Sequence, residues 1–527
     1  MDGSVSEVAI AGSSIEANLE QFLVVLSVSL SVATISRIFS WFRQIPYTLL
    51  LVIVGLVLSF IDVRLVDLSP ELILEIFLPP LLFEAAWNIR WRDLRDNLIP
   101  VILFAVVGVV ISVLVMAFSL DQFTDLPLAA ALLVGASLSA TDPVSVVALF
   151  RELGAPKRLT TVMEGESLFN DGVAVVAFVL LVGIPLGTSD FTISGTVARF
   201  FTFVGIGIGV GALTGFGISY LTQRFDLPLV EQSLTLVSAY ATYLVTEELG
   251  GSGVIGVVTV GIILGNFGSR IGMNPRTRLL VSEFWEFLAF FVNSIVFLLI
   301  GDQIQLSSLG DNLDLILVAI AAVVVARILV IFGLGAISNL FTQEKIALRE
   351  KTILWWGGLR GSVSIALALS VPVALEARTE IIEVVFGVVL FTLLVQGLTT
   401  QFFLEKLDLV GDQPLRQAYN ELLARRIALK KVLNFLVELE KSPDVEDDFY
   451  RYELDLVKGQ LESVEQEILK LQRENESLKT LANEQLRRRL LDIEANTYAE
   501  LVRGGALNKD LSPVMQEVLV QSIEDER

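Results

Sequence analysis

From about residue 20 to Phe403 the chain is a succession of apolar runs, each roughly the 17 to 25 residues that an α-helix needs to cross a bilayer. The runs fall near 20–39, 46–62, 71–87, 97–119, 127–150, 161–186, 197–222, 230–247, 252–267, 281–303, 311–338, 351–375 and 381–403. Composition agrees, since 54% of the residues are hydrophobic and 18% charged, against the roughly 25% charge usual in soluble domains. Mean hydropathy is +0.69. The expected fold is an all-α polytopic membrane protein of about 13 transmembrane helices, followed from Leu404 by a segment rich in Glu, Lys, Arg, Gln and Leu.

Three regions follow: a short extracytoplasmic segment (1–19), a transmembrane domain (20–403) and a helical tail (404–527). The first segment carries Asp2, Glu7 and Glu16 and no basic residue, so it lacks the positive start of a cleavable signal peptide, and the first span is expected to be retained. Counted on these spans, one set of alternate loops holds fifteen Lys and Arg, among them Arg90, Arg151, Lys157, Arg158 and Arg349, whereas the other holds only Arg64, Arg199 and Arg378. The positive-inside rule then puts the N-terminus outside and the tail in the cytoplasm. Acids such as Asp121, Glu247 and Asp314 fall on the outer side, either to concentrate cations there or because acids are tolerated where Lys and Arg are excluded.

Two absences narrow the chemistry. The chain has no cysteine and no histidine, which excludes disulfides, thiolate or imidazole metal sites and the usual imidazole proton switch, so proton chemistry falls to carboxylates or lysine. A formal charge of −21 argues against a nucleic-acid partner.

Ionisable groups at bilayer depth cost several kcal/mol unless paired or hydrated, and so mark a site by default. The fifth predicted span contains Thr141-Asp142-Pro143, and the sixth contains Glu164, Glu166, Ser167, Asn170 and Asp171. Pro143 cannot donate to the helix ladder and disfavours helical geometry at Asp142, so the fifth span should break there and free carbonyls. On the sixth, Ser167 and Asp171 share one helical face, and Glu166 and Asn170 a second one about 100° away. Thr141, Asp142, Ser167 and Asp171 are therefore assigned as oxygen ligands of a hard monovalent cation. Glu166 and Asn170 are assigned to a structural partner. The twelfth span offers one in Gly357-Gly358-Leu359-Arg360-Gly361: Arg360 cannot shed its proton and needs acceptors, which Glu166 and the Asn170 carbonyl would supply unless Arg360 lies near the interface and snorkels. Arg327, in the eleventh span, has no partner the sequence names.

Breaks at equivalent places in two halves point to a transporter site at a repeat interface. Spans one to six and eight to thirteen form the two inverted repeats on this reading, with the break at Pro143 opposite the break at 357–361. Glycines 205, 207, 209, 211, 215 and 217 make a small-residue surface on the seventh span, for internal packing or a dimer contact. Glu283, Glu286 and Asn293 either line a cytoplasmic funnel or are interfacial. In the tail, Leu454, Val457, Leu461, Val464, Ile468, Leu471, Asn475 and Leu478 alternate spacings of three and four, which suits a coiled coil or a helical hairpin with the segment near 415–440.

Over residues 20–405 the chain resembles the monovalent cation:proton antiporter family, in its NhaP-type sodium/proton exchanger branch. The resemblance rests on Leu78-Pro79-Pro80-Leu81-Leu82-Phe83-Glu84, Ala140-Thr141-Asp142-Pro143, Gly165-Glu166-Ser167-Leu168-Phe169-Asn170-Asp171-Gly172 and Gly358-Leu359-Arg360-Gly361. It implies a homodimeric inner-membrane transporter, not an enzyme, that exchanges Na+, and also Li+, for H+ without a cofactor. Ion ligands at Thr141, Asp142, Ser167 and Asp171 follow from it, with Glu84 acting through water and a structural Glu166–Arg360 pair bridged by Asn170. Asn rather than Asp at 170 implies electroneutral exchange. The alternatives are a potassium/proton antiporter with the same site and, remotely, an intramembrane aspartyl protease using Asp142 and Asp171, in which Arg360, Glu166 and Thr141 have no role.

Overall fold

The structure is a computed structural model that describes residues 21–479 apart from 22, 37–45, 61–67, 188–191, 224–226, 270–272, 274, 305–309, 311, 343, 411–412, 440–446, 476–477 and a few side chains, with isolated positions beyond. The segment expected outside at 1–19 lies outside the described residues. Two compact units divide the chain, Met1–Gly411 and Asp412–Arg527.

Every regular element among the described residues is a helix. Those that matter for the site are, in chain order, α1 (Tyr47–Phe60), α2 (Leu78–Asn88), α3 (Leu98–Phe123), α4 (Leu128–Ser137), α5 (Val144–Leu153), α6 (Lys157–Leu181), α7 (Ile193–Thr222), α8 (Pro228–Glu248), α9 (Gly253–Ile263), α10 (Pro275–Gln303), α11 (Leu313–Phe341), α12 (Leu348–Trp356), α13 (Ser362–Leu369) and α14 (Arg378–Lys406). Five helices among the described residues, including α3, α10, α11 and α14, are long and apolar enough to cross a membrane by length and composition. Others are shorter because spans are cut. The run at 127–150 becomes α4 and α5 on either side of 138–143, and the run at 351–375 becomes α12 and α13 on either side of 357–361. Proline and glycine mark the two breaks: Pro143, which has no amide hydrogen for a continuous ladder, stands at the start of α5 and past the end of α4 at Ser137, and the three glycines of the second break weaken the helix that flanks Arg360.

The unit Asp412–Arg527 contains α15 (Gln413–Leu439) and α16 (Asp447–Glu474). Gln472 Nε2 donates to Tyr419 Oη at 2.6 Å and Lys430 lies 3.1 Å from Glu465. As numbers rise on one helix they fall on the other, so the two run antiparallel. Tyr419, Val464, Ile468 and Leu478 form their buried core. Of the two tail arrangements the spacing allowed, the structure shows the hairpin within one chain. Its buried stripe is the same three-and-four repeat.

Candidate ion site at the crossing of two interrupted helices

The two breaks meet. The Asp142 amide donates to the Leu359 carbonyl at 2.8 Å, which ties the α4–α5 break to the α12–α13 break through the backbone. So close an approach needs glycine at 361, where a Cβ would stand 2.3 Å from Asp142 Oδ2 and 2.5 Å from its Cβ.

Two interrupted helices expose four ends. The starts of α5 and α13 present unsatisfied N–H groups, and the ends of α4 and α12 present unsatisfied carbonyls, with partial charges to match. Three of these four ends are answered by a side chain of the opposite sign; the start of α13, behind Gly361, has no side-chain cap among the described residues. Asp142 Oδ1 accepts from the Val144 amide at 2.9 Å, at the start of α5. Arg360 Nη1 donates to the carbonyls of Ala140 (2.9 Å) and Ser139 (3.2 Å), just past the end of α4. Arg327, from α11, donates from Nη2 to the Leu354 carbonyl in the last turn of α12 at 3.0 Å.

This arrangement corrects the expected ion pair. Glu166 is held by Arg327, with Nη1 on Oε1 and Nη2 on Oε2 at 3.1 Å, and both side chains are buried. The reason is geometric. The two-pronged guanidinium lies against Gly358, where a Cβ would come within 2.5 Å of Arg327 Nε, and from there its fork matches a carboxylate edge. Arg360 is 1% exposed and does not snorkel; its guanidinium is taken by the carbonyls that the first break frees. Asn170 does not bridge Glu166 to Arg360 either. Its Nδ2 donates to Thr141 Oγ1 at 2.6 Å and its Oδ1 accepts from the Thr141 amide at 3.3 Å, so it clamps the backbone just before Asp142. Sequence reading singled out Arg327 as a buried charge but had two arginines for one glutamate, and spacing along the chain does not choose between them.

The four assigned ligands come together. Thr141, Asp142, Ser167 and Asp171 all line one cavity of about 90 Å³, room for a cation with several waters when one water needs roughly 10–15 Å³. Ser167 Oγ donates to the Thr141 carbonyl, joining α6 to the first break. Glu164 lines the same cavity and is paired with Arg151 at 2.6 Å. Asn293 also lines it, from α10, whereas Glu283 and Glu286 do not. Glu84 stands on α2 beside the cavity rather than in its lining, with its Oε1 accepting from Asn88 Nδ2 at 2.5 Å.

Residues 27–406 match the family model for the transmembrane region of the sodium/hydrogen exchangers. The chain belongs to that family. The exchanger is 67% identical to the Na(+)/H(+) antiporter ApNhaP of Aphanothece halophytica over 98% of this chain and 99% of that protein. It is 62% identical to the low-affinity Na(+)/H(+) antiporter NhaS1 of Synechocystis sp., over 98% of each. Its fold is similar to that of the sodium proton antiporter MjNhaP1 from Methanocaldococcus jannaschii, with a TM-score of 0.59 at 21% identity, over 74% of this chain and 99% of that one. As a member of this family the exchanger is a multi-pass membrane transporter, not an enzyme.

Proposed function

We propose that the chain exchanges sodium, and also lithium, for protons across the bacterial inner membrane, one for one, at Asp171 and Asp142. Thirteen spans in two inverted repeats, with the tail in the cytoplasm, are part of this reading and rest on hydropathy and loop charge. One observation carries it. In a member of the sodium/hydrogen exchanger family, the two carboxylates and the Thr141 and Ser167 oxygens line one small cavity where two interrupted helices cross.

The charge of that crossing supports one-for-one exchange. Arg327 and Arg360 bring two positive charges, and Glu166, Asp142 and Asp171 bring three negative ones. One negative charge is left when the site is empty, and a single proton or sodium ion cancels it. An uncancelled charge in a low dielectric is costly, so the empty site resists changing its access while the site loaded with either cation does not. Asn170, committed to Thr141 through both ends of its amide, offers no second acid for an extra proton. Glu164 carries the cavity towards the start of α6, where Lys157 and Arg158 lie, and pairs with Arg151, which favours access from the side that loop charge assigns to the cytoplasm.

The test is competition. In proteoliposomes, the apparent KM for sodium should rise with proton concentration on the same side, approaching proportionality at low pH, while the maximal rate at saturating sodium changes little. A KM independent of pH would show that the two cations do not share a site, and exchange driven by potassium but not sodium would move the reading to a potassium/proton antiporter.

A homodimer is also proposed, with α7 as its contact. Gly207, Gly211 and Gly215 on that helix pack on α9 or the residue before it, whereas Gly205, Gly209 and Gly217 meet open space. Only 17% of the helix's apolar window is buried, against 44–61% in the other four long spans. Because the chain has no cysteine, Gly209→Cys alone should yield a disulfide-linked dimer under mild oxidation in membranes; a product that stays monomeric speaks against this face.

A further inference from the structure

The cavity's polar groups are unevenly sourced. Asp142 and Thr141 come from the first break, Ser167, Asp171 and Glu164 from α6, and Ser362 from the start of α13. What α2 contributes is apolar: Leu78, Leu81, Leu82 and Ala85. Asn293, the one residue from α10, is the exception to that apolar lining among the described residues. Its carboxamide is half-buried and has no hydrogen-bond partner among the described residues, which leaves it free to pair with water or an ion in the cavity. The orientation of this turn of α10 is well held. The neighbouring Ser294 accepts from Tyr47 Oη of α1 at 2.8 Å and donates to the Phe290 carbonyl at 2.6 Å, and the Tyr47 ring stacks on Phe290 at 5.2 Å.

We propose that Asn293 is a substrate-positioning residue that contacts the transported cation, or the water around it, in the conformation described here. The proposal rests on the exchange reading. A carboxamide suits the position because it accepts through oxygen and donates through nitrogen. Its oxygen can face sodium or a protonated carboxylic acid, and its N–H can face an ionised carboxylate. Being neutral, it leaves the one-charge balance of the crossing intact, so it favours binding without favouring either load.

The experiment compares sodium-dependent proton exchange in proteoliposomes by the intact protein and by Asn293→Leu, Asn293→Gln, Asn293→Asp and Ser294→Ala. Exchange by the intact protein tests the exchange reading separately, since its absence would count against that reading and not against Asn293. Asn293→Leu is expected to raise the apparent KM for sodium about five- to tenfold, the effect of losing one hydrogen-bonding group, with the maximal rate nearly unchanged. Asn293→Gln should recover most of that loss. Asn293→Asp should lower KM, because a carboxylate attracts the cation more strongly, and slow turnover by retaining it. Ser294→Ala, which loosens the same turn without entering the cavity, should leave KM as it is. An unchanged KM in Asn293→Leu overturns the proposal, as does a KM shift of the same size in Ser294→Ala. If Asn293→Leu does not insert, Asn293→Asp decides: a KM equal to or above that of the intact protein overturns it.

Discussion

Asp171→Asn is expected to reduce sodium-driven proton movement to the level of protein-free liposomes at every pH, while leaving the protein folded. On the proposed mechanism the variant removes the acid that carries the transported proton, and Asn cannot replace it. It also removes one of three negative charges at a crossing that holds two arginines, so the empty site becomes neutral and loses a source of repulsion with Asp142. Its melting temperature should therefore match or exceed that of the intact protein. A second readout separates an inactive site from a damaged one: a ligand that binds only the folded state stabilises it in proportion to the logarithm of its concentration. Sodium should raise the melting temperature of the intact protein and not that of the variant. Exchange that persists in Asp171→Asn would falsify the assignment of Asp171 as the shared carboxylate.

The second large effect is on stability. Arg327→Met should destabilise the protein by about 3–5 kcal/mol, because it leaves the buried Glu166 without its counter-ion and the Leu354 carbonyl without its donor. Adding Glu166→Gln should recover much of the loss, since a buried pair replaced on both sides costs far less than one broken on one side. Arg360→Met is not equivalent, because Arg360 serves carbonyls rather than Glu166. Thermal unfolding of the three proteins in detergent checks the order. If Glu166→Gln failed to rescue Arg327→Met, the guanidinium would matter as the cap of α12 and not as the partner of Glu166.

Much of this site was legible along the chain because its causes are local. Pro143 withholds a ladder donor at the start of α5, and glycines at 357, 358 and 361 weaken the helix at the second break. The stripe that carries Ser167 and Asp171 follows from helical periodicity, and the four assigned ligands do reach one cavity. Arginine pairing was not legible. Choosing between Arg327 and Arg360 depends on which guanidinium lies beside Gly358 and which beside the carbonyls of Ser139 and Ala140, and both are facts about how two breaks cross. Asn170 misled for a related reason. Its position four residues from Glu166 placed it on the right face, but the nearest unsatisfied groups there belong to Thr141. The tail stripe likewise set which face of α16 is buried without saying that α15 of the same chain would cover it.

The sequence by itself determined the solvent, the helical class, the two interruptions and the acids beside them, because run length, proline and glycine geometry and the cost of a charge in hydrocarbon act over one or two turns of one helix. The tertiary structure alone decided which cation neutralises which acid, that Asn170 clamps Thr141, and that Asn293 joins the cavity from another helix. Those outcomes turn on distances of a few ångströms between segments more than a hundred residues apart, or, for Asn170, on which neighbour first satisfies the orphaned amide of Thr141, and the order of residues along a chain carries no such distances.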